Sequence, residues 1–414
     1  MISVRRRRTR KEFLAALALV SGAALLFPSS AIVVRRTPRA RAIPGATNAL
    51  ERQTLGMYYA WFAWLNRAGV PGYLGETNTP NVEKPWPQSQ VDLWLNLLDK
   101  VYVTIDEAGP TIAGVTAHVA SITESAGGGF KVYGPDRSDV PLSQRNFSEV
   151  FQQASVIEAH PPTPDSMRGM NTSAGAMTPD TFGPSNPGTY GKDYVYPDAS
   201  DYEYLLSRGH NLTRVPFRWE RVQVRDARQP SSNPALNDGE IARLAASFDA
   251  AASVGMNVIP SVQNYGAYVF STSIFGTENL GKIGSSKLPI SAYAAFMKQL
   301  AAAFAGHPAV VGLDIMNEPR QLSGSPPART WEQASQAAVE AIRQVSTTLK
   351  LWIAGYHTPP SGSYPGLYCF IGNHPEPWIV AENFGYTTHC YYGPGSGYPN
   401  SYDEAVALWE FKGY

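Results

Sequence analysis

Two short stretches of this chain carry residue types that could do chemistry together. In the first, the apolar run Val310 to Met316 ends abruptly in Asn317-Glu318-Pro319. The run is built like a parallel strand covered on both faces, and Pro319 stops its ladder, so Glu318 is placed at the carboxyl end of a strand. That end is where parallel α/β architectures bind ligands, which makes Glu318 a candidate general acid rather than a strand-terminal Glu in a solvated loop. The second stretch repeats the pattern: Val70 to Leu74 runs into Gly75-Glu76, followed by Asn78 and Pro80. Two carboxylates at the ends of two strands are the minimum equipment for acid-base or nucleophilic work. Of the other carboxylates, Asp314 is mid-strand and reads as structural. Glu382 precedes a strand and should face the opposite end.

The elements that must position this pair alternate strand and helix. Apolar residues recur at helical spacing from Leu50 to Arg67, with Gly69 closing the helix, and again from Val91 to Ala108. Strands are expected at Val70–Leu74, Thr111–Ala117, Met167–Asn171, Asn211–Phe217, Asn257–Val262, Val310–Met316, Leu351–Ala354 and Tyr386–Tyr391. Helices are expected at Phe147–Glu158, Ser200–Ser207, Gly239–Val254, Ile290–Ala305 and Trp331–Thr348. Eight strands in βα repetition are the number that closes a (β/α)8 TIM barrel. The long segments Thr172–Tyr196 and Gly266–Lys287 follow strands and are expected as loops on the active face. The Gly-rich turn Gly127–Gly134 fits no phosphate-binding pattern, because it is not set between a strand and a helix.

Composition narrows the function further. The chain has 414 residues, enough for one large domain or two ordinary ones, and its 34 Lys and Arg balance its 34 Asp and Glu, so no basic field points to nucleic acid. Positive charge instead gathers before an apolar stretch, Phe13 to Phe27, followed by the small residues Pro28-Ser-Ser-Ala31. This reads as a secretory leader over residues 1–34, with a polar linker at 35–48 and a single domain at 49–414. Thr9-Arg10-Lys11-Glu12-Phe13-Leu14 is similar to a twin-arginine signal with Lys11 in the second arginine's place, so general and twin-arginine export both stay open. A retained leader would anchor the protein to a membrane. Cys369 and Cys390 allow one disulfide or two buried thiols, and neither count nor spacing suggests a metal site.

With these residues laid out, the sequence resembles the cellulase-type retaining glycoside hydrolases of family 5. The matching motifs are Arg214 in Asn211-Leu-Thr-Arg-Val-Pro-Phe217, Asn317-Glu318-Pro319, His389-Cys-Tyr391 and Gly72-Tyr-Leu-Gly-Glu76. The resemblance implies a barrel enzyme with Glu318 as acid/base and Glu76 as nucleophile. It also implies that Arg214 bonds the nucleophile, that Asn317 contacts the sugar 2-hydroxyl, and that His389 and Tyr391 shape the sugar site. Asn264 matches a family position, while Gln263 stands where the family has a histidine. His118, in Thr116-Ala-His118, stands where a sugar-stacking tryptophan is expected, and Trp219 is assigned to packing near the site.

The motif order departs from the family. The strand ending in Glu76 comes first and the family's opening strand, Met167–Asn171, comes third, so the sequence reads as a circularly permuted barrel in which strands seven and eight lead. His160 to Asp165 would then join the natural termini. The expected protein is a monomeric, exported hydrolase of a β-1,4-linked glucan or related β-glycan, needing no cofactor and no metal. A mannan-directed enzyme of the same family, a non-catalytic carbohydrate-binding barrel, and a separate module at residues 49–160 are the competing readings.

Overall fold

Short aliphatic and β-branched runs separated by helix-forming segments can bury both their faces only in a parallel sheet that helices cover. The computed structural model of the chain describes residues 43–78, 87–120, 159–172, 174–358, 367–391 and 402–411. Its strands are β1 (Gly72–Asn78), β2 (Ile112–Ala120), β3 (Met167–Thr172), β4 (Leu212–Phe217) and β5 (Asn257–Val262). An antiparallel hairpin follows, β6 (Ala267–Thr272) and β7 (Glu278–Lys282), and then β8 (Leu313–Asp314), β9 (Leu351–Ala354) and β10 (Phe384–Tyr391). Leaving out the hairpin, the other eight pair in parallel in chain order, and β10 returns to β1 to close the barrel. The eight strands counted in the sequence are those of the barrel.

Around it lie α1 (Ala49–Ala68), α2 (Gln88–Ala108), α3 (Ala199–Ser207), the single turn α4 (Trp219–Val222), α5 (Asp238–Val254), α6 (Ile290–Phe304), α7 (Pro327–Arg343), α8 (Leu367–Asn373) and α9 (Tyr402–Phe411). Their ends carry the residues that satisfy orphan backbone groups. The Asn48 side chain accepts from Glu51 N at the start of α1, and Gly69, at φ 70°, closes it in the left-handed region that glycine adopts without strain. α9 packs back on α1 and α2: Tyr402 Oη donates to Glu51 Oε1 at 3.1 Å, and the Tyr402 ring meets Trp94 edge-on at 5.1 Å. His160, in the segment entering β3, is fastened to α2 through Asp106 Oδ2 at 2.6 Å and Asp99 Oδ1 at 2.9 Å.

Three elements differ from the sequence expectation. Only Leu313–Asp314 of the run Val310–Met316 forms a ladder. Gly312 passes so close to Trp352 that an added Cβ would meet its Nε1 at 2.7 Å, and the rest of the run stays extended through single bonds such as Asn317 N to Val262 O at 2.8 Å. Helix α7 begins four residues before Trp331, because Pro327 suits a first helical turn, and it ends at Arg343, whose guanidinium takes the carbonyls of Ser346 and Leu349. Gly266–Lys287 contains the β6–β7 hairpin rather than a bare loop. The leader, Gly127–Gly134 and the helix expected at Phe147–Glu158 lie outside the described residues. Cys369 and Cys390 are separate buried thiols. Among the described residues no helix is long and apolar enough to cross a membrane.

The core has two parts, set by the two faces of the strands. The larger packs the outward residues, such as Leu74, Val215 and Ile353, against the helices, and the smaller fills the barrel's interior with Tyr73, Leu212, Ile259 and Trp352. Tyr73 and Trp352 lie 5.1 Å apart between ring centroids and form the floor on which the polar residues above must rest. Trp352→Ala opens a cavity under that floor and is expected to lower unfolding stability by about 3–5 kcal/mol, measured by urea denaturation. A loss below about 1 kcal/mol would show that the floor carries little of the fold.

Candidate active site

Strict alternation would send Glu76 to the same face as Leu74, toward the helices. A register shift between Leu74 and Glu76 against β10, matched by one between Leu74 and Thr77 against β2, prevents this. The bulge turns Glu76 back into the barrel mouth, the role bulges play beside active sites. Gly75 makes the arrangement possible, because a Cβ there would stand 2.8 Å from Thr387 Oγ1 and 3.0 Å from His389 Nε2. Glu76 and His389 are register partners on adjacent strands.

One layer above the apolar floor, Arg214 of β4 gathers four oxygen-bearing side chains. Its Nη1 donates to Glu76 Oε1 and to Asn171 Oδ1, each at 2.8 Å. Its Nε and Nη2 donate to Asp314 Oδ2 at 3.0 and 2.6 Å, and Nη2 also reaches Asn317 Oδ1 at 2.6 Å. Ser261 Oγ supports Asp314 at 2.9 Å. Burial works against the Arg214 charge, but Asp314 and Glu76 outweigh it and hold the guanidinium protonated more firmly than a free arginine. Asn171 also donates to Gly75 O at 2.8 Å, tying the bulge to β3.

Glu318 faces Glu76 from the far side. Its backbone lies at φ 39°, in a region a non-glycine residue occupies only when its surroundings over-determine it, and Tyr265, just past the neighbouring strand β5, is likewise at φ 55°. The two are stapled together, since Arg320 N and Gln321 N both donate to Tyr265 O, at 2.9 and 2.8 Å. Arg320 also lies over the Tyr265 ring, 4.2 Å from its centroid, and its Nη1 reaches Glu318 Oε2 at 3.3 Å. His389 Nδ1 sits between the carboxylates, 2.8 Å from Glu318 Oε1 and 3.3 Å from Glu76 Oε2. His357 Nε2 approaches Glu318 Oε1 at 3.5 Å. Burial alone would push the Glu318 carboxyl up, but His357, His389 and Arg320 outweigh it and hold it well below the usual carboxylate range. Burial first, and then the charges of Glu318 and Glu76, push the Tyr265 phenol up.

An oxygen of Glu76, an oxygen of Glu318 and a nitrogen of His389 all lie within 4.8 Å of one another. On donor types alone such a set could hold a cation. Here each carboxylate is already engaged by an arginine and by the imidazole of His389. An oxygen of each carboxylate thus lies closer to the other than the roughly 6.5–9.5 Å separation that leaves room for an intervening water.

Of the residues singled out in the sequence, Glu76, Glu318, Arg214, Asn317 and His389 come together. Gln263 lies at the cleft edge, its Nε2 3.2 Å from Tyr265 Oη and its Oε1 without a hydrogen-bond partner among the described residues. Asn264 sits deeper: its Oδ1 accepts from Trp219 N, and its Nδ2 donates to Glu220 Oε1 at 2.7 Å and to Ala267 O, so both amide hydrogens hold the loop. Trp219 is buried and stacked on Phe296 at 4.4 Å. The side chains of His118 and Tyr391 lie outside the described residues. Glu382 is exposed at the opposite end of β10. Sequence reasoning missed Asn171, Tyr265, Arg320 and His357, although all four lie at or within three residues of a strand end, or just past Glu318, on the face that bears the site.

The sequence profile of the cellulases, glycosyl hydrolase family 5, matches residues 158–406. The chain belongs to this family. Among curated members, it is 28% identical to endo-beta-1,4-glucanase B of Emericella nidulans over 46% of this chain and 48% of that one. It is 36% identical to the probable endo-beta-1,4-glucanase B of Neosartorya fischeri over 25% of this chain and 32% of that one. The chain thus spans about half, or less, of the length of the curated family members it matches. Among solved structures, Pseudomonas stutzeri endoglucanase Cel5A in complex with cellobiose shares 33% identity over 53% of this chain and 58% of that one, with a TM-score of 0.42.

Arg214→Leu removes the cation and leaves Glu76 and Asp314 buried without it. The variant is expected to lose about 3–5 kcal/mol of unfolding stability, read from urea denaturation at neutral pH. Wild-type stability in that variant would mean that the carboxylates are not held by this guanidinium.

Proposed function

We propose that this protein is an exported retaining β-glycosidase that cleaves a β-1,4-linked glucan by double displacement. The observation that carries the reading is the approach of the two carboxylates, one tied to Arg214 and the other aimed at the same space from β8. Glu76, kept ionised by Arg214, attacks the anomeric carbon while the glycosidic bond breaks, and Glu318 gives its proton to the departing oxygen. A covalent glycosyl ester on Glu76 results. Glu318, now a base, takes a proton from a water that attacks the same carbon, and the ester bond breaks to free the sugar and the Glu76 carboxylate. Asn317, already oriented by Arg214, stands beside the nucleophile where a 2-hydroxyl would lie. The endo-β-1,4-glucanase names of the relatives support a glucan as substrate, and the apolar, basic-flanked first 34 residues support export. The protein is proposed to act as a monomer.

We infer further that the barrel is circularly permuted. The family match begins at residue 158 and leaves β1 and β2 outside it, yet these strands complete the ring and one of them carries Glu76. Contacts of α9 with α1 and α2 support the same reading, since they join segments that would be consecutive in an unpermuted chain.

Glu76→Ala and Glu318→Ala are each expected to lower turnover of a soluble β-1,4-glucan by roughly 10⁴-fold or more, and azide should restore turnover of an activated aryl β-glycoside to the Glu76 variant. Assays of released reducing ends and of glycosyl azide check this. Full activity in either variant would remove that residue from its role.

A further inference from the structure

We propose that His357 is a positioning residue for the acid/base, fixing where the Glu318 carboxyl points and how firmly it holds its proton. This rests on the retaining-glycosidase reading, but the contacts behind it do not. Tyr356 and His357 leave the barrel just after β9 and clasp the backbone just after Glu318: His357 N donates to Pro319 O at 2.8 Å, and Tyr356 Oη donates to Arg320 O at 3.3 Å. The clasp is itself anchored. Tyr356 N donates to His374 Nε2 at 2.8 Å, His374 Nδ1 meets Glu332 Oε1 at 3.0 Å, and Asn373 Nδ2 donates to the carbonyls of Tyr356 and Thr358 at 3.0 and 2.9 Å. α7 and α8 therefore hold the segment that sets the left-handed backbone of Glu318, a conformation that relaxes unless its neighbours enforce it.

The ring adds a second effect. Glu318 Oε1 faces two imidazoles, His389 at 2.8 Å and His357 at 3.5 Å, while Oε2 faces Arg320. The groups that face His357 in turn are Glu318, His389, Arg320 and Glu76. Burial lowers the His357 imidazole against the raising pull of Glu318. An imidazole whose Nε2 stands 3.5 Å from a carboxylate oxygen favours the ionised form of that carboxylate, by its charge when protonated and by its N–H dipole when that nitrogen carries the hydrogen. Glu318 with His357 beside it surrenders its proton more readily than without it. Because the alkaline limb of a retaining glycosidase reports the acid/base losing its proton, that limb falls at lower pH with His357 present, and removing the donor moves it up.

The test uses His357→Phe, which keeps an aromatic ring without N–H, and His357→Gln, which keeps a donor. With a cello-oligosaccharide, the alkaline limb of kcat/KM is expected to move up by on the order of one pH unit in His357→Phe and to stay near wild type in His357→Gln. With an aryl glycoside whose leaving group needs no proton, the alkaline limb should not move in either. An unmoved limb on the oligosaccharide in folded His357→Phe overturns the proposal, as does an equal shift on both substrates. Should His357→Phe not fold, histidine NMR of Glu318→Gln decides: the His357 titration midpoint must fall relative to wild type, and an unchanged midpoint overturns the coupling. A wild type inert toward both substrates overturns the glycosidase reading, while the NMR comparison still decides whether ring and carboxyl interact.

Discussion

A single guanidinium, buried at the centre of the barrel mouth, is the constraint on which the site depends. Arg214 meets Glu76, Asp314, Asn171 and Asn317, so β1, β3 and β8 with its continuation report to one planar, permanently charged group. Burying such a cluster is weak evidence for stability, since desolvation of the charges offsets much of their attraction. What it supplies is order: it holds the Glu76 carboxylate in one direction and keeps the Asn317 amide turned to the same space. Asp314 balances the arginine from below, leaving the Glu76 carboxylate available to the cleft above.

The opposite wall is organised by backbone strain rather than by charge. Glu318 and Tyr265 both hold positive φ, and the carbonyl of Tyr265 takes two N–H groups from the chain just after Glu318. Glu318 is therefore not a side chain on a free loop. It is part of a stapled corner between the ends of β5, β8 and β9, with three nitrogen-bearing side chains around its carboxyl. His357, His389 and Arg320 favour the ionised carboxyl, so these neighbours matter as much as its own position.

Much of this was legible because a barrel converts order along the chain into position around a ring. Two apolar runs ended in carboxylates, so Glu76 and Glu318 could be assigned to one face from the sequence, and the resemblance to family 5 added Arg214 and His389. The bulge at Gly75 was not legible. Alternation alone points Glu76 at the helices, and only pairing with both neighbouring strands reverses it. The depth of Asn264 was hidden for a related reason, because the sequence places a residue at a strand end but not the partners, here Glu220 and Trp219, that take up its amide. His357 escaped notice because it lies three residues beyond its strand, where its meaning comes from contact with Pro319 and Glu318, 38 and 39 positions away in the sequence. The hairpin β6–β7 was read as a loop since its strands pair only with each other and stand outside the barrel's βα repetition.

The central claim is that the nucleophile and the acid/base stand close enough for the sugar to be handed to the protein before water takes it. Proton NMR of the first product released from a β-linked cello-oligosaccharide tests this directly, because the anomeric configuration is read before mutarotation scrambles it. Two displacements at one carbon predict a β-configured product at the earliest time points. A product that appears first as the α-anomer would mean that water attacks in a single step, and would contradict the account.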